Sequence, residues 1–446
     1  MVLCLYLLWA AWLTAAALSV LQVRKLVGRF RREPPGQHRP NSPRAWVIIP
    51  FKGLDQDLRA ALRSLCSQTY PDYRLILVVD SPDDPAYPVL QDELARDPSF
   101  RGRAEILISG PAGPHESQKI HNQLYALERV LPKLGPRDIL AFADSDAVPG
   151  ANWLNDLLVN AWDPTIGMTT GYRWLIPSAE GAGGTPGKGQ GVSGQTPASN
   201  RGQSQIQNQK PKISLSSHLA SILNSSVACI YRQRLTSRAW GGAMAMRAEV
   251  AQQGDLEGWL RGALTDDYQF TRLCWSLKKR VWFSPRCITP SPVDFDFRGL
   301  CEFIRRQYLI TRIYIPGTYY AALSLLSLWV VGWFATIASL IWALSGGGLA
   351  LSGGGARLPW WLPAGVLLAG EILHHLRAYY RRRAVQAAFP PEIAQRLKTT
   401  LRLDAWATPL WMTAHWLLIL TALFGRHITW RGITYRLDGP QNIHRL

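Results

Sequence analysis

The segment Tyr73-Arg74-Leu75-Ile76-Leu77-Val78-Val79-Asp80 decides the fold, because an apolar, β-branched run ends there at an acidic residue. Two other runs have the same character: AWVIIP at residues 45–50 and DILAFAD at residues 138–144. Residues 58–67, between the first two runs, have helical spacing. Apolar strands that alternate with helices are typical of a parallel sheet covered on both faces. The sequence therefore predicts an α/β fold.

Three groups of acidic residues stand out. Asp80 ends one predicted strand, Asp144 and Asp146 form an Asp-x-Asp pair at the end of another, and Asp267 precedes a helical pattern at residues 269–277. Ligands of such sheets bind beyond the carboxyl ends of the strands, where Asp80 and Asp144 are expected. Taken singly, each group could equally cap a helix or form a turn.

The chemistry of these side chains suggests a site for a charged ligand. Asp144 and Asp146 can present oxygens to one hard cation, Mg²⁺ or Mn²⁺. Asp267 is a candidate general base, and Lys119 or Arg305 could face a diphosphate. The histidines at positions 115, 121 and 218 are interpreted as surface or supporting residues, not as metal ligands.

The N-terminal apolar run, residues 2–20, is long enough to cross about 30 Å of hydrocarbon. A cleaved signal peptide is the alternative, but no basic region precedes the run. We expect an uncleaved anchor, residues 1–22, with its N-terminus outside and the following chain in the cytosol. The basic residues after it act as a positive-inside signal: Arg24, Lys25, Arg29, Arg31 and Arg32.

The remaining segments follow from composition. We expect a cytosolic α/β domain at residues 44–300, with a flexible Gly, Ser, Gln and Asn-rich insertion at residues 180–213. After it come an interfacial segment (301–316), three membrane spans (317–345, 358–377 and 405–425) and a tail (426–446). Four spans would return the tail to the outside, yet it contains Arg426, Arg431 and Arg436, which conflicts with the positive-inside rule. Either the rule fails here or one segment is interfacial.

The formal net charge of +18 is concentrated beside the apolar runs, which favours anionic lipid headgroups over nucleic acid as the partner. The six cysteines include no CxxC pair, so a disulfide framework or a thiolate zinc site is not expected. The sequence thus predicts a multi-pass membrane protein with its polar domain in a reducing compartment, in the inner membrane if the cell is bacterial. It does not indicate an oligomeric state.

Several dispersed motifs resemble one enzyme family in the same order. They are IPFKGLD (residues 49–55), Asp80 with DDPA (83–86), DSD (144–146), WGGAMAMR (240–247), DDY (266–268) and ITWRGITYR (428–436). These residues resemble family-2-type glycosyltransferases of the GT-A (Rossmann-like) fold, and among them most closely the ceramide glucosyltransferase family and its bacterial relatives. The likeness runs from about residue 46 to the C-terminus without the insertion.

The resemblance implies roles for individual residues. Asp80 would bind the nucleotide, Asp144 and Asp146 the diphosphate through a metal, and Asp267 would be the general base of an inverting displacement. Lys119 and Asn122 lie in a segment similar to the family's Lys-x-x-Asn. Before the first C-terminal span the family has a Gln/Arg-x-x-Arg-Trp element. The nearest match here is EFIRRQ at residues 302–307, with arginine in place of tryptophan; it supplies Arg305, Arg306 and Gln307 as donor-binding candidates.

The expected activity is the transfer of a hexose, with UDP-glucose as the first candidate donor, onto the hydroxyl of a membrane lipid such as ceramide. A processive polysaccharide synthase is the first alternative, but such enzymes usually have more membrane helices. A non-enzymatic, nucleotide-binding membrane protein is the second. The sequence does not fix the sugar, the lipid or the metal.

Overall fold

The computed structural model describes residues 2–37, 42–55, 58–97, 100, 102–178, 213–230, 237–346 and 358–446. The predicted insertion lies outside the described residues, except for residue 213. The described strands of the central sheet are β1 (Ala45–Pro50), β2 (Tyr73–Val79), β3 (Ala104–Ile108), β4 (Ile139–Phe142), β5 (Ile166–Pro177), β6 (Met244–Arg247) and β7 (Arg280–Val293). Their order across the sheet is β3-β2-β1-β4-β6-β5-β7.

The first four strands are parallel, as the sequence predicts. Strand β1 lies between β2 and β4, with Ile48 opposite Ile76 on one side and Phe142 on the other. Every residue of β1 is buried, which explains why its sequence is apolar without alternation. The complete sheet is mixed, however, since β6 is antiparallel to both β4 and β5. The chain enters β6 at the edge where β4 ends, so β6 must run in the opposite direction.

Helices cover both faces of this sheet. They are α2 (Leu58–Cys66), α3 (Ala86–Arg96), α4 (Gln118–Val130), α5 (Trp153–Leu158), α6 (Leu215–Ile230), α7 (Ala248–Gln253), α8 (Leu256–Leu260) and α9 (Asp266–Ser276). Side chains from α2, α3 and α5 fill the core on one face, and those from α4, α8 and α9 fill it on the other. The α/β class predicted from the sequence is confirmed.

Long helices flank this domain in the chain. They are α1 (Val2–Arg32), α10 (Phe297–Tyr314), α11 (Pro316–Leu344) and α12 (Trp361–Ala388). In the described part of the chain, α1 and α11 are long and apolar enough to cross a membrane. Residues 2–22 of the predicted anchor (1–22) form the first part of α1, which continues through the basic cluster. Likewise, α12 continues eleven residues beyond the predicted span 358–377 and includes the arginines that follow it.

Close packing joins α1, α11 and α12. The indole of Trp12 is fully buried, and two glycines provide the space for it. A Cβ atom added to Gly332 would lie 2.8 Å from Trp12 Cβ, and one added to Gly370 would lie 2.6 Å from Trp12 Cη2. His374, which interrupts the apolar pattern of its segment, faces this interior and accepts a hydrogen bond from Trp329 Nε1 at 3.2 Å.

The last predicted span, residues 405–425, is not one continuous helix. The chain forms α13 (Pro391–Arg396), α14 (Lys398–Trp406) and α15 (Thr408–Leu420), with a break at Ala407. Pro409, in the first turn of α15, has no backbone N–H to continue a helix from α14. At 1.5 Å per residue, the 13 residues of α15 reach only about 20 Å, less than the hydrocarbon thickness.

The tail forms a three-stranded antiparallel sheet of β8 (His427–Trp430), β9 (Ile433–Gly439) and β10 (Asn442–Arg445). It packs against the α/β domain: the Arg445 amide donates to the carbonyl of Pro114 at 2.8 Å, and Gln441 Nε2 donates to the carbonyl of Gly258 at 2.6 Å. The chain therefore returns to the α/β domain after α15.

Candidate active site

The ends of β1 and β2 form the first part of the site. Lys52, two residues beyond β1, forms an ion pair with Asp80, the residue that follows β2. Its ammonium also lies 3.5 Å from Asp84, whose carboxylate accepts the amides of Gly53 and Ala86. Asp80 is buried, and its Oδ1 has no hydrogen-bond partner among the described residues. A buried acceptor without a partner is suited to a ligand that donates a hydrogen bond.

Lys119 connects the second and third acidic groups. It lies in the first turn of α4, which is capped by Ser117, and its Nζ is 2.8 Å from Asp144 Oδ1 and 3.0 Å from Asp266 Oδ1. Burial lowers the pKa of Lys119, but the two carboxylates more than offset this effect and the net shift is upward. The ammonium is therefore charged, and it holds the end of β4 against the start of α9.

Gly241 is required for this contact. A Cβ atom at position 241 would lie 2.6 Å from Lys119 Nζ and 3.0 Å from Asp266 Oδ1, closer than a side chain can approach. The quoted motif at residues 240–247 thus forms a turn followed by β6, which begins at Met244.

Asp266 and Asp267 are adjacent but have different environments. Asp266 is fully buried; its carboxylate accepts hydrogen bonds from Lys119 and from Gln123 Nε2, the latter at 2.6 Å. Asp267 is half-buried and accepts hydrogen bonds from Thr265 Oγ1 and, at 2.7 Å, from the amide of Tyr268. Burial and the neighbouring Asp266 raise the pKa of Asp267 to about 6. Asp267 is thus the member of the pair that combines accessibility with the basicity of a proton acceptor.

The two carboxylates of the Asp-x-Asp pair also differ. Burial disfavours the charge of Asp144, but Lys119 and then Arg173 and Arg431 stabilise it, so the net shift of its pKa is downward. Burial and the negative charge of Asp144 raise the pKa of Asp146 to about 6. A divalent cation beside both carboxylates would relieve this repulsion.

The donor set fits a magnesium or manganese ion that also binds a ligand. In the described part of the chain, no group of three or more His, Cys, Asp or Glu side chains could hold a metal by itself. Mg²⁺ in phosphate-transferring sites is commonly held by one or two carboxylates together with substrate phosphates. The pair of Asp144 and Asp146 matches that pattern.

Arginines from three distant parts of the chain lie near these carboxylates. The positive charges of Arg173 and Arg431 favour the ionised forms of Asp144 and Asp146, although the net shift of the Asp146 pKa is upward. Burial, followed by repulsion from Arg173 and Arg431, lowers the pKa of Arg306 to about 10. The guanidinium carbons of Arg173 and Arg306 lie 5.7 and 5.8 Å from the ring centroid of Phe303. These three arginines form a cationic group that could hold phosphate oxygens.

Of the three predicted donor-binding residues at positions 305–307, the two arginines point to different places. Arg306 lies with the cationic group, whereas Arg305 donates hydrogen bonds to the carbonyls of Phe424 at 3.0 Å and His427 at 3.2 Å. The backbone carbonyl of Gln307 accepts a hydrogen bond from Thr311 Oγ1. The structure does not bring Arg305 to the carboxylates, and a donor-binding role for it and for Gln307 stays a prediction.

Asn122 is engaged within the protein. It is fully buried and donates to the carbonyls of Phe51 at 3.1 Å and Val78 at 3.2 Å. Its Oδ1 accepts hydrogen bonds from Ser109 and Gln118, each at 2.8 Å. These contacts tie the ends of β1, β2 and β3 together. Its predicted contact with a nucleotide also stays a prediction.

Sequence reasoning assigned no role to several residues of the site. Lys52 lies just after β1, as Asp80 lies just after β2, so the sequence could have predicted that Lys52 is at the same rim of the sheet. Arg173, within β5, has no comparable signal, whereas Asp266, whose carboxylate anchors Lys119, lies in the quoted motif DDY. Arg431 lies in a quoted motif, but its contact with the site depends on how the tail folds.

Comparisons with known proteins agree with the motifs. Residues 7–180 match the family described as "Glycosyl transferase family 21". A ceramide glucosyltransferase of Candida albicans is 38% identical over 65 residues, which are 14% of this chain and 12% of the relative. The match thus spans about an eighth of the length of that curated relative.

Two solved structures have a chain trace that resembles this one in part. A mannosyltransferase from Pyrobaculum calidifontis, in complex with GDP-Man and Mn²⁺, has a TM-score of 0.40 at 15% identity, over 93% of this chain and 97% of that chain. TarS of S. aureus (residues 1–349), in complex with UDP-GlcNAc, has a TM-score of 0.33 at 12% identity, over 90% and 99%. Similarity at this level supports no argument about mechanism.

The family match and the curated relative confirm the resemblance that the motifs predict: over residues 7–180, this chain matches glycosyl transferase family 21, and it is similar in sequence to ceramide glucosyltransferase.

Proposed function

We propose that this chain is an inverting glycosyltransferase that moves a hexose from a UDP-sugar, with UDP-glucose as the first candidate, onto the hydroxyl of a membrane lipid such as ceramide. The observation that supports it most is the contact of Lys119 with both Asp144 and Asp266. This contact joins the Asp-x-Asp pair to the helix that begins with Asp266 and Asp267. A diphosphate-binding group and a proton acceptor are then adjacent, as transfer from a nucleoside diphosphate requires.

The donor would bind along the strand ends. The free Oδ1 of Asp80 would accept a hydrogen bond from the nucleotide. A divalent ion on Asp144 and Asp146, when bound, would offset negative charge on the departing diphosphate. The cationic group of Arg173, Arg306 and Arg431 would hold the phosphate oxygens as that charge develops.

The transfer itself would depend on Asp267. Its carboxylate would accept the proton of the acceptor hydroxyl, whose oxygen forms a bond to the anomeric carbon of the sugar. The bond from that carbon to the diphosphate oxygen breaks on the opposite face, so the anomeric configuration inverts. The proton ends on Asp267 and the electron pair on the nucleoside diphosphate. A pKa near 6 leaves most of Asp267 ionised at neutral pH, as a general base must be.

A lipid acceptor is favoured by the surroundings of the site. The α/β domain is preceded by α1 and followed by α11, both long and apolar enough to cross a membrane. The similarity to ceramide glucosyltransferase is consistent with this acceptor class. The α/β domain would lie in the cytosol, at the face where the basic residues 24–32 leave the bilayer.

A direct test is to incubate the purified protein with a lipid extract, Mg²⁺ or Mn²⁺ and a panel of nucleotide-sugars, and to identify products by mass spectrometry. We expect one added hexose on a lipid. A polymeric product would favour a polysaccharide synthase. The absence of transfer and hydrolysis with every donor would contradict the enzyme proposal.

The role of Asp267 is tested by Asp267→Asn. Loss of a general base lowers the rate by roughly 10²–10⁴-fold, while binding of UDP, measured by calorimetry, should be unchanged. Asp72→Asn is the matched control, because Asp72 is half-exposed and pairs with Arg44 just before the start of β2, at the opposite end of that strand from Asp80. Full activity of the Asp267 variant would refute the assignment.

A further inference from the structure

A pair of polar side chains lies where α10 meets α15. The hydroxyl of Tyr308 and Nε2 of His415 are hydrogen-bonded, with ring centroids 5.7 Å apart. His415 is 7% exposed, and its Nδ1 has no partner among the described residues. Tyr308 is half-buried. A buried polar atom without a partner costs free energy unless a ligand or water satisfies it.

The pair is connected to the candidate base through side chains. Tyr268, next to Asp267, forms a hydrogen bond of 2.7 Å between its hydroxyl and Thr311 Oγ1 on α10. Thr311 and Tyr308 are three residues apart on this helix, so they share a face. Tyr308 and His415 therefore belong to a wall of side chains that leads from Asp267 to the contact of α10 with α11 and α15.

The chemistry of this wall suits a neutral polar group. Burial raises the pKa of Tyr308, and the neighbouring Tyr172 and Tyr268 add to the shift, so the phenol stays uncharged. A neutral phenol next to an imidazole offers one donor and one acceptor. The Tyr308–His415 pair would therefore bind an amide or a second hydroxyl better than a phosphate, because phosphates bind preferentially to positively charged side chains.

The position of the pair fits access from a bilayer. His415 faces inward from α15, whereas Leu410 and Leu417 on the same helix are 74% and 54% exposed. Phe297, at the start of α10, is 72% exposed. An amphiphile with its apolar part against these side chains would reach the Tyr308–His415 pair by inserting its polar end between α10 and α15.

We propose that Tyr308 and His415 form a specificity subsite that binds a second polar group of the lipid acceptor, an amide or hydroxyl next to the hydroxyl that receives the sugar. This inference rests on the proposed function. In this inference, the pair makes the enzyme prefer acceptors that have such a second polar group over plain long-chain alcohols.

The test uses the full-length protein in detergent and two acceptors of equal chain length, an N-acyl amino alcohol and a simple primary alcohol. Tyr308→Phe keeps the ring and removes the hydroxyl. We expect KM for the amide-containing acceptor to rise roughly fivefold to tenfold, the value of one neutral hydrogen bond, with KM for the simple alcohol and for the donor unchanged. His415→Leu should have the same effect, and the double variant should lose no more than either single variant.

The matched control is Tyr319→Phe. The hydroxyl of Tyr319 already donates to the carbonyl of Ile419 at 3.0 Å, and its ring lies 6.3 Å from that of Tyr308. The Tyr319→Phe substitution should change KM for both acceptors equally. An equal change of KM for both acceptors in the Tyr308 variant, or no change for either, would overturn the inference.

A binding measurement separates this inference from the proposed reaction. An N-acyl amine of the same length, without the reacting hydroxyl, should bind the wild-type protein and bind Tyr308→Phe more weakly, by calorimetry. Equal binding to both proteins overturns the subsite whether or not sugar is transferred. Weaker binding to the variant supports the subsite even if the donor proves not to be a UDP-sugar.

Discussion

Arg431 in the C-terminal sheet donates a hydrogen bond of 2.6 Å to Asp55, near the end of the first strand. A second N–H of the same guanidinium donates to the carbonyl of Lys52, whose side chain pairs with Asp80. Ser145, between the two aspartates of the Asp-x-Asp pair, donates to the same Asp55 carboxylate. The tail is therefore part of the wall of the candidate site.

Arg431→Gln should lower kcat/KM for the donor by on the order of tenfold, because one cation that would stabilise the departing diphosphate is removed. The affinity for Mn²⁺, measured by electron paramagnetic resonance, should not fall, because removing a positive charge favours a cation on Asp144 and Asp146. Arg436→Gln is the control, since Arg436 pairs with Asp438 at a half-exposed position of the same sheet. Equal losses of activity in both variants would argue against this role.

The pH dependence should follow Asp267. Its pKa is raised to about 6, and a general base works only when it is deprotonated, so kcat/KM should fall below about pH 6 and be constant above it. Thr265 donates a hydrogen bond that favours the ionised form, so Thr265→Val should raise the pKa and move the acid limb upward by up to about one pH unit. Thr165→Val, which removes an exposed hydroxyl near Asp163, should leave the profile in place. A downward shift in the Thr265 variant would contradict the assignment.

The central strands and the strand-end acids could be predicted because their causes are local. Strands β1, β2 and β4 are buried on both faces, apart from the exposed Arg74 of β2, and so have almost entirely apolar sequences. Parallel strands end at one edge, which brings Asp80 and Asp144 to the same rim. Neither inference required knowledge of distant contacts.

Other features depend on orientation and on distant parts of the chain. Neighbours on a helix point about 100° apart, so a motif alone does not show which of Arg305 and Arg306 faces the carboxylates. The place of Arg431 depends on the folding of the tail onto β1. Asn122 and Asp266 both lie in motifs of the candidate site, but the hydrogen bonds of their side chains are made within the domain. The apolar composition of residues 405–425 predicts a membrane span, but composition alone does not show that the helix is broken at Ala407.

The buried charges of α12 and α14 give a prediction about stability. Arg381 lies 2.8 Å and Arg377 lies 3.7 Å from the carboxylate of Asp404, and all three side chains are at most 6% exposed. Asp404→Asn leaves two buried guanidinium groups without a counter-charge and should destabilise the protein by about 3–5 kcal/mol. The measurement is thermal unfolding in detergent. Glu302→Gln, which breaks the exposed pair with Arg298, should change nothing measurable, and an Asp404 variant as stable as that control would contradict the argument.

The C-terminal tail should lie on the same side of the membrane as the α/β domain. Tyr319, at the start of α11, donates to the carbonyl of Ile419, at the end of α15, so the chain leaves α15 where it entered α11. The pair of α14 and α15 would then enter and leave the bilayer from one face. If α12 crosses the membrane together with α1 and α11, the basic residues of the tail would lie on the side of residues 24–32, and the conflict with the positive-inside rule would disappear. In sealed, oriented vesicles, an epitope added after Leu446 should be protected from protease to the same extent as one inserted at Asp72 in the α/β domain. Protection of one epitope and cleavage of the other would show that α15 crosses the membrane.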